Sequence, residues 1–165
     1  MIRQGKTVNI LILVLVILTA CIFLVIDARK SYSKTQEQDK YNEIILKYKS
    51  TMTFEKLEKM NYVFLRHNNQ VADVKVKNFF DSFKKSKVGG YSHPLNFQEL
   101  VFSDGSSFEI FVVFCILGEK TPGVNVFINY YENGLLKTST PFVCPELVEW
   151  GKEIGIFESY LSSHQ

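Results

Sequence analysis

The sequence predicts an α+β protein: an N-terminal transmembrane helix and helical stalk, then a small antiparallel β-sheet or incomplete barrel closed by a C-terminal helix. Three observations carry that reading. Val8 to Ile26 is a run of 19 residues without a charge; Tyr41, Ile44, Ile45 and Tyr48 recur at helical spacing; and Phe108 to Leu117 and Val124 to Tyr131 are β-rich apolar runs, the second followed by Asn133-Gly134. The 165 residues leave room for one ordinary domain plus an appendage. The expected division is a cytoplasmic tail over 1–7, a transmembrane helix over 8–26, a stalk and amphipathic helix over 27–60, and a β-rich outer domain over 61–165.

At about 1.5 Å per helical residue the opening run reaches roughly 28 Å, close to the hydrocarbon thickness of a bilayer. A spanning backbone must satisfy its own hydrogen bonds, which this Leu-, Ile- and Val-rich run does as a helix. Asn9 falls at its headgroup end, and Thr19 can bond its own backbone one turn back. Basic residues flank both ends, Arg3 and Lys6 before and Arg29, Lys30 and Lys34 after, so charge counting does not set the orientation. A short tail before a long domain is the signal-anchor arrangement, which puts the tail in the cytoplasm. Leu18-Thr19-Ala20-Cys21 resembles a lipoprotein acylation site, but Ile22 to Ile26 continues the apolar run, which suits an intact span better.

Residues 27–40 are almost wholly polar and read as a stalk. The Tyr41-Ile44-Ile45-Tyr48 stripe predicts a helix over about 36–50 lying on the domain core. After Ser50 to Thr53, whose hydroxyls suit a helix cap, Phe54, Leu57 and Met60 predict a short helical turn. Tyr62 to Arg66 and Val71 to Val76 flank His67-Asn68-Asn69-Gln70 and predict a hairpin. Phe79, Phe80 and Phe83 lead into a basic loop or frayed helical end at Lys84 to Lys87. Phe108–Leu117 and Val124–Tyr131 are expected core strands. Asn133-Gly134 supplies the positive φ of a primed turn, and residues 135–140 form the return strand, ended by Pro141 because proline donates nothing to a ladder. A terminal helix then runs from Glu146 to about Leu161.

Beyond the span, residues 27–165 hold 17 basic and 17 acidic side chains, split as +6 over 27–90 and −6 over 91–165. Binding to a phosphate backbone calls for a basic surface, so direct contact with nucleic acid is not expected. Cys21 lies in the span and leaves Cys115 and Cys144 outside it, an even pair that suggests a disulfide, with two free buried thiols as the alternative. Closing that loop would contribute on the order of 3–4 kcal/mol in the chain-entropy account.

No G-x-S-x-G elbow frames a serine, and Ser106 and Ser107 read as turn residues. Gly118-Glu119-Lys120-Thr121 lacks the spacing of a phosphate-binding loop, and the scattered His67, His93 and His164 form no ligand-like interval. No catalytic residue, metal site or cofactor is therefore expected. His67 and His93 lie outside the apolar runs and are candidate pH-sensing residues. With 13 Phe and 8 Tyr after the span, a curled sheet could leave a cavity for an apolar, lipid-like or bile-acid-like ligand.

The basic tip, the 8–26 span, the helical stalk and the small β-rich domain with Cys115 and Cys144 together resemble the PsaF and MyfF accessory proteins, in layout and without a diagnostic motif. The resemblance, shared with the analogous ToxS and VtrC, implies a single-pass bacterial inner-membrane protein whose periplasmic domain pairs with the outer domain of a PsaE-like membrane-bound transcription activator. It implies a heterodimer that supports expression of a fimbrial, virulence-associated operon. A structural subunit of an envelope secretion or pilus assembly, or a lipoprotein, is the alternative expectation.

Overall fold

The structure is a computed structural model, and it describes residues 3–65, 76–118 and 120–163. Helix α1 (Arg3–Thr51) is followed by α2 (Phe54–Glu58), β1 (Asn61–Phe64), α3 (Val76–Lys84), β2 (Lys87–Val88) and β3 (Leu95–Ser103). Strands β4 (Phe108–Leu117), β5 (Thr121–Glu132) and β6 (Leu135–Val143) come next, then helices α4 (Glu146–Glu153) and α5 (Ile156–Ser163). The chain divides into two compact units, Met1–Lys40 and Tyr41–Gln165.

The first unit is one uninterrupted helix, long and apolar enough to cross a membrane. Its large apolar side chains from Ile12 to Ile26 are exposed, the pattern expected of a helix suited to a hydrocarbon surrounding. Thr19 donates its hydroxyl proton back to the carbonyls of Leu15 and Val16, so the one polar group described at mid-span is satisfied within the helix.

The second unit is an open six-stranded antiparallel sheet in the order β1-β3-β4-β5-β6-β2, with its helices packed on one face. The class α+β is thus correct, and the sheet is open rather than closed toward a barrel. Strands alternate their side chains between faces, and Ile110, Val112, Phe114 and Ile116 of β4 share the helix-covered face with Val124, Val126 and Ile128 of β5. Against them stands an aromatic layer. Phe79 of α3 meets Phe102 at 4.9 Å and Trp150 of α4 at 5.1 Å, while Phe114 meets Trp150 at 5.8 Å and Phe157 of α5 at 5.9 Å, all in tilted, offset or edge geometries that suit ring quadrupoles. The aromatic residues that the composition supplies in excess therefore fill a core.

Several elements follow the sequence closely. Strand β4 has the predicted bounds, and Asn133 and Gly134 take φ of 53° and 74° in the β5–β6 turn, the positive values that the dipeptide was read to supply. Thr53 caps α2, its hydroxyl accepting from the Lys56 amide at 3.3 Å, and Leu57 is fully buried. Ser103 to Ser106 form a side-chain-bonded turn in which Asp104 accepts from the Ser106 amide at 2.8 Å.

Three expectations need correction. The described partner of β1 is β3, with Asn61 opposite Ser103 and Phe64 opposite Leu100, and Val76 opens a helix rather than closing a strand. The rest of the predicted hairpin, residues 66–75, lies outside the described residues. Phe79, Phe80 and Phe83, expected to lead into a loop or a frayed helical end, belong to α3, which ends at Lys84 as the second of those alternatives has it, and the i, i+4 spacing of Phe79 and Phe83 buries both rings.

Pro141 does not end β6, which continues to Val143. The Pro141 carbonyl accepts from the Gly89 amide at 3.0 Å on the β2 side, and a strand residue points its nitrogen and its carbonyl to the same side. The missing N–H therefore faces away from β5, and the β5–β6 ladder loses nothing.

The predicted terminal helix is two helices, because Gly155, with φ of 75°, takes the left-handed conformation that closes α4. The chain then folds back so that Phe157 covers Gly151. A methyl group built on Gly151 would stand 2.5 Å from a Phe157 ring carbon and 3.1 Å from one of Phe114. Gly151→Ala should therefore destabilise the domain by about 1–3 kcal/mol despite the better helix propensity of alanine, measured as a lowered denaturation midpoint.

Candidate functional site

The end of α1 belongs to the second unit, and it enters that unit's core. Tyr41 and Ile45 are buried, Ile45 completely, and both lie on the stripe that the sequence marks out. Tyr48 stacks on Phe108 of β4 at 3.9 Å with the rings almost parallel, and Tyr41 meets Tyr130 of β5 at 5.8 Å. Between these rings Asn42 offers its side-chain oxygen to β6, accepting from Thr140 at 2.8 Å and from Thr138 at 3.4 Å. Both threonines are buried on the helix-facing side of the sheet, so the amide satisfies hydroxyls that packing would otherwise strand. Burial, with the negative charge of Asp104 adding to it, raises the Tyr48 hydroxyl above the ordinary tyrosine range and keeps it protonated.

The next residue, Lys49, leaves this apolar strip and reaches toward α3. Its ammonium donates to the Ser86 carbonyl and stands 5.0 Å from the Phe142 ring centre and 5.5 Å from that of Phe83. Burial lowers its pKa, with Cys144 nearby opposing the shift, and no ion pair to a carboxylate is formed by it among the described residues. Beside it runs an open groove of about 330 Å³ between the end of α1 and α3, lined by Leu46, Lys49, Ser50, Met52, Phe80, Phe83 and Lys84. The groove joins an apolar floor to two ammonium groups.

The cysteines do not meet. Cys144 sits in the helix-side core and donates from Sγ to the Ser82 carbonyl of α3, whereas Cys115 alternates with Phe114 and Ile116 and so lies on the other face. One strand also separates them, since Cys115 is opposite Gly123 of β5 and Cys144 directly follows Val143, which is opposite Asn125. Two strand spacings of about 4.8 Å exceed the roughly 7 Å that a disulfide tolerates between Cα atoms. The expected Cys115–Cys144 bridge is therefore replaced by two free, buried thiols, each pushed up to about 11, chiefly by burial.

His93 is exposed, with a left-handed φ of 52°, in the turn that leads through Pro94 to β3. His67 lies outside the described residues. Ser106 and Ser107 stand in the β3–β4 turn, and Ser106 accepts there from the Phe108 amide at 3.2 Å. Among the described residues no group of three or more His, Cys, Asp or Glu side chains could hold a metal ion. Sequence reasoning missed Lys49, Asn42 and the groove. The signals were present in part, in the i, i+4 phenylalanines of α3 and in a lysine placed one residue past Tyr48.

Comparison of the chain with family models, curated proteins and solved structures yields no match.

Two measurements check this geometry. Ile45→Ala removes a fully buried side chain and should cost about 2–4 kcal/mol of unfolding free energy, while Leu46→Ala, on the exposed side, should cost less than about 0.5 kcal/mol. Alkylation of the folded protein at pH 8 without reductant should spare Cys115 and Cys144, and denaturant alone should expose both to the reagent. Intact mass reads the number of adducts, and a chain that accepts label on these two residues only after reduction would restore the disulfide.

Proposed function

We propose that this protein is a membrane-anchored accessory protein whose periplasmic domain binds and stabilises the outer domain of a bitopic, PsaE-like transcription activator, and so supports environmentally controlled gene expression without contacting DNA. In this reading α1 crosses the bacterial inner membrane once, with Met1 on the cytoplasmic side. The observation that carries it is the construction of α1, whose first part is fit to cross a membrane and whose last residues are core of the sheet domain. Tethering two anchored proteins to one bilayer raises their effective concentration, so a modest outer-domain interface suffices for pairing.

A surface for such pairing is available. Among the described residues strand β1 is a sheet edge, and Asn61 to Leu65 carries no charge that would repel another strand, with Tyr62, Val63 and Leu65 exposed. Edges of this kind offer backbone donors and acceptors to a partner's strand. Affinity capture of the full chain from detergent-solubilised membranes should recover one bitopic protein with a cytoplasmic DNA-binding domain in near-equal amount. A lysine at Val63 should reduce that recovery several-fold while leaving the denaturation midpoint nearly unchanged. Recovery of a large envelope assembly instead would favour a secretion or pilus subunit, and a C-terminal reporter active only in the cytoplasm would remove the proposal altogether.

A further inference from the structure

We infer that the groove between the end of α1 and α3 binds a free fatty carboxylate of medium chain length, its acyl chain on the apolar floor and its carboxylate between Lys49 and Lys84. This inference is independent of the partner proposed above, since every residue of the groove belongs to this chain.

Size comes first. A groove of about 330 Å³ lies at the small end of the range that small-molecule sites occupy, and so suits a single short alkyl chain. Its floor is apolar over Met52, Phe80 and Phe83, and Leu46 stands on its wall at 45 % exposure. Met and Phe side chains shape themselves to a flexible alkyl chain without demanding hydrogen bonds.

Charge then selects the head group. Lys49 is half withdrawn from water, with one backbone carbonyl and two ring faces for company and no carboxylate beside it among the described residues. A partly desolvated ammonium without a counter-charge is costly, and an incoming anion offsets that cost. Lys84, exposed on the α3 side of the same groove, supplies a second cation, and among the described residues no acidic side chain lines the groove. A neutral amphiphile would leave both ammonium groups unpaired, and a cationic one would be repelled.

The test uses the full chain in nanodiscs of phosphatidylcholine, with hydrogen exchange read over residues 46–52 and 80–84. Decanoate below its micelle concentration should slow exchange in both segments at least threefold, and decanol or decyltrimethylammonium at equal concentration should not. Lys84→Ala and Lys49→Gln should each weaken the decanoate response about tenfold in concentration. Lys84 is exposed, so the first variant keeps the test valid if the second fails to fold. Equal protection by decanol and decanoate, unchanged protection in Lys84→Ala, or no protection by decanoate would each overturn the inference. Protection that arises from phosphatidylglycerol discs alone, with decanoate adding nothing, would assign the groove to a membrane lipid and overturn it equally.

Discussion

The packing of Tyr41, Ile45, Tyr48 and Met52 against the open sheet is the contact on which the rest of the structure depends. The helix-side face of the sheet carries most of the core, and α3, α4 and α5 are short helices that cover part of it. The end of α1 closes the remainder over β4, β5 and β6, supplying Ile45 as a fully buried side chain and Asn42 as the acceptor for two buried threonine hydroxyls. Most helical stability in proteins comes from packing of an apolar face, so the last turns of α1 and the sheet stabilise each other.

That arrangement sets what the surrounding residues must do. Gly151 has no side chain because Phe157 and Phe114 occupy the space a methyl would need. Thr138 and Thr140, polar at core-facing positions of β6, stand there because Asn42 reaches them. Lys49 stretches over Phe83 and Phe142, a placement in which ring faces and one carbonyl stand in for water without cancelling the charge. The groove beside it follows from the same geometry, since α1 and α3 approach each other with large side chains facing and leave a cleft at the rim.

Much of this was readable in the chain. The long apolar helix, the Tyr41 stripe, β4 and the Asn133-Gly134 turn each rest on local signals, a long apolar run, a 3.6-residue period, a β-branched run and a dipeptide with special φ. What sequence reasoning missed depended on partners distant in the chain. Strand β3 hides its alternation behind an irregularity in register between Asn96 and Gln98, so that Leu95 to Ser103 reads poorly as a strand. Pro141 breaks a strand only when its nitrogen faces the ladder, which depends on which side β5 takes. The pairing of Cys115 with Cys144 failed because face and strand order decide the distance, and neither is written in the spacing of two cysteines.

The function proposed here draws on the same structural fact, a helix fit for the bilayer whose end is domain core. Hydrogen exchange on the full-length protein in lipid nanodiscs measures it directly. The amides of Ile44 to Tyr48 should exchange as slowly as those of Val112 to Phe114 in β4, opening only with the whole domain. Exchange at Ile44 to Tyr48 faster by orders of magnitude, with β4 still protected, would show a frayed linker beside an independent sheet and contradict the account.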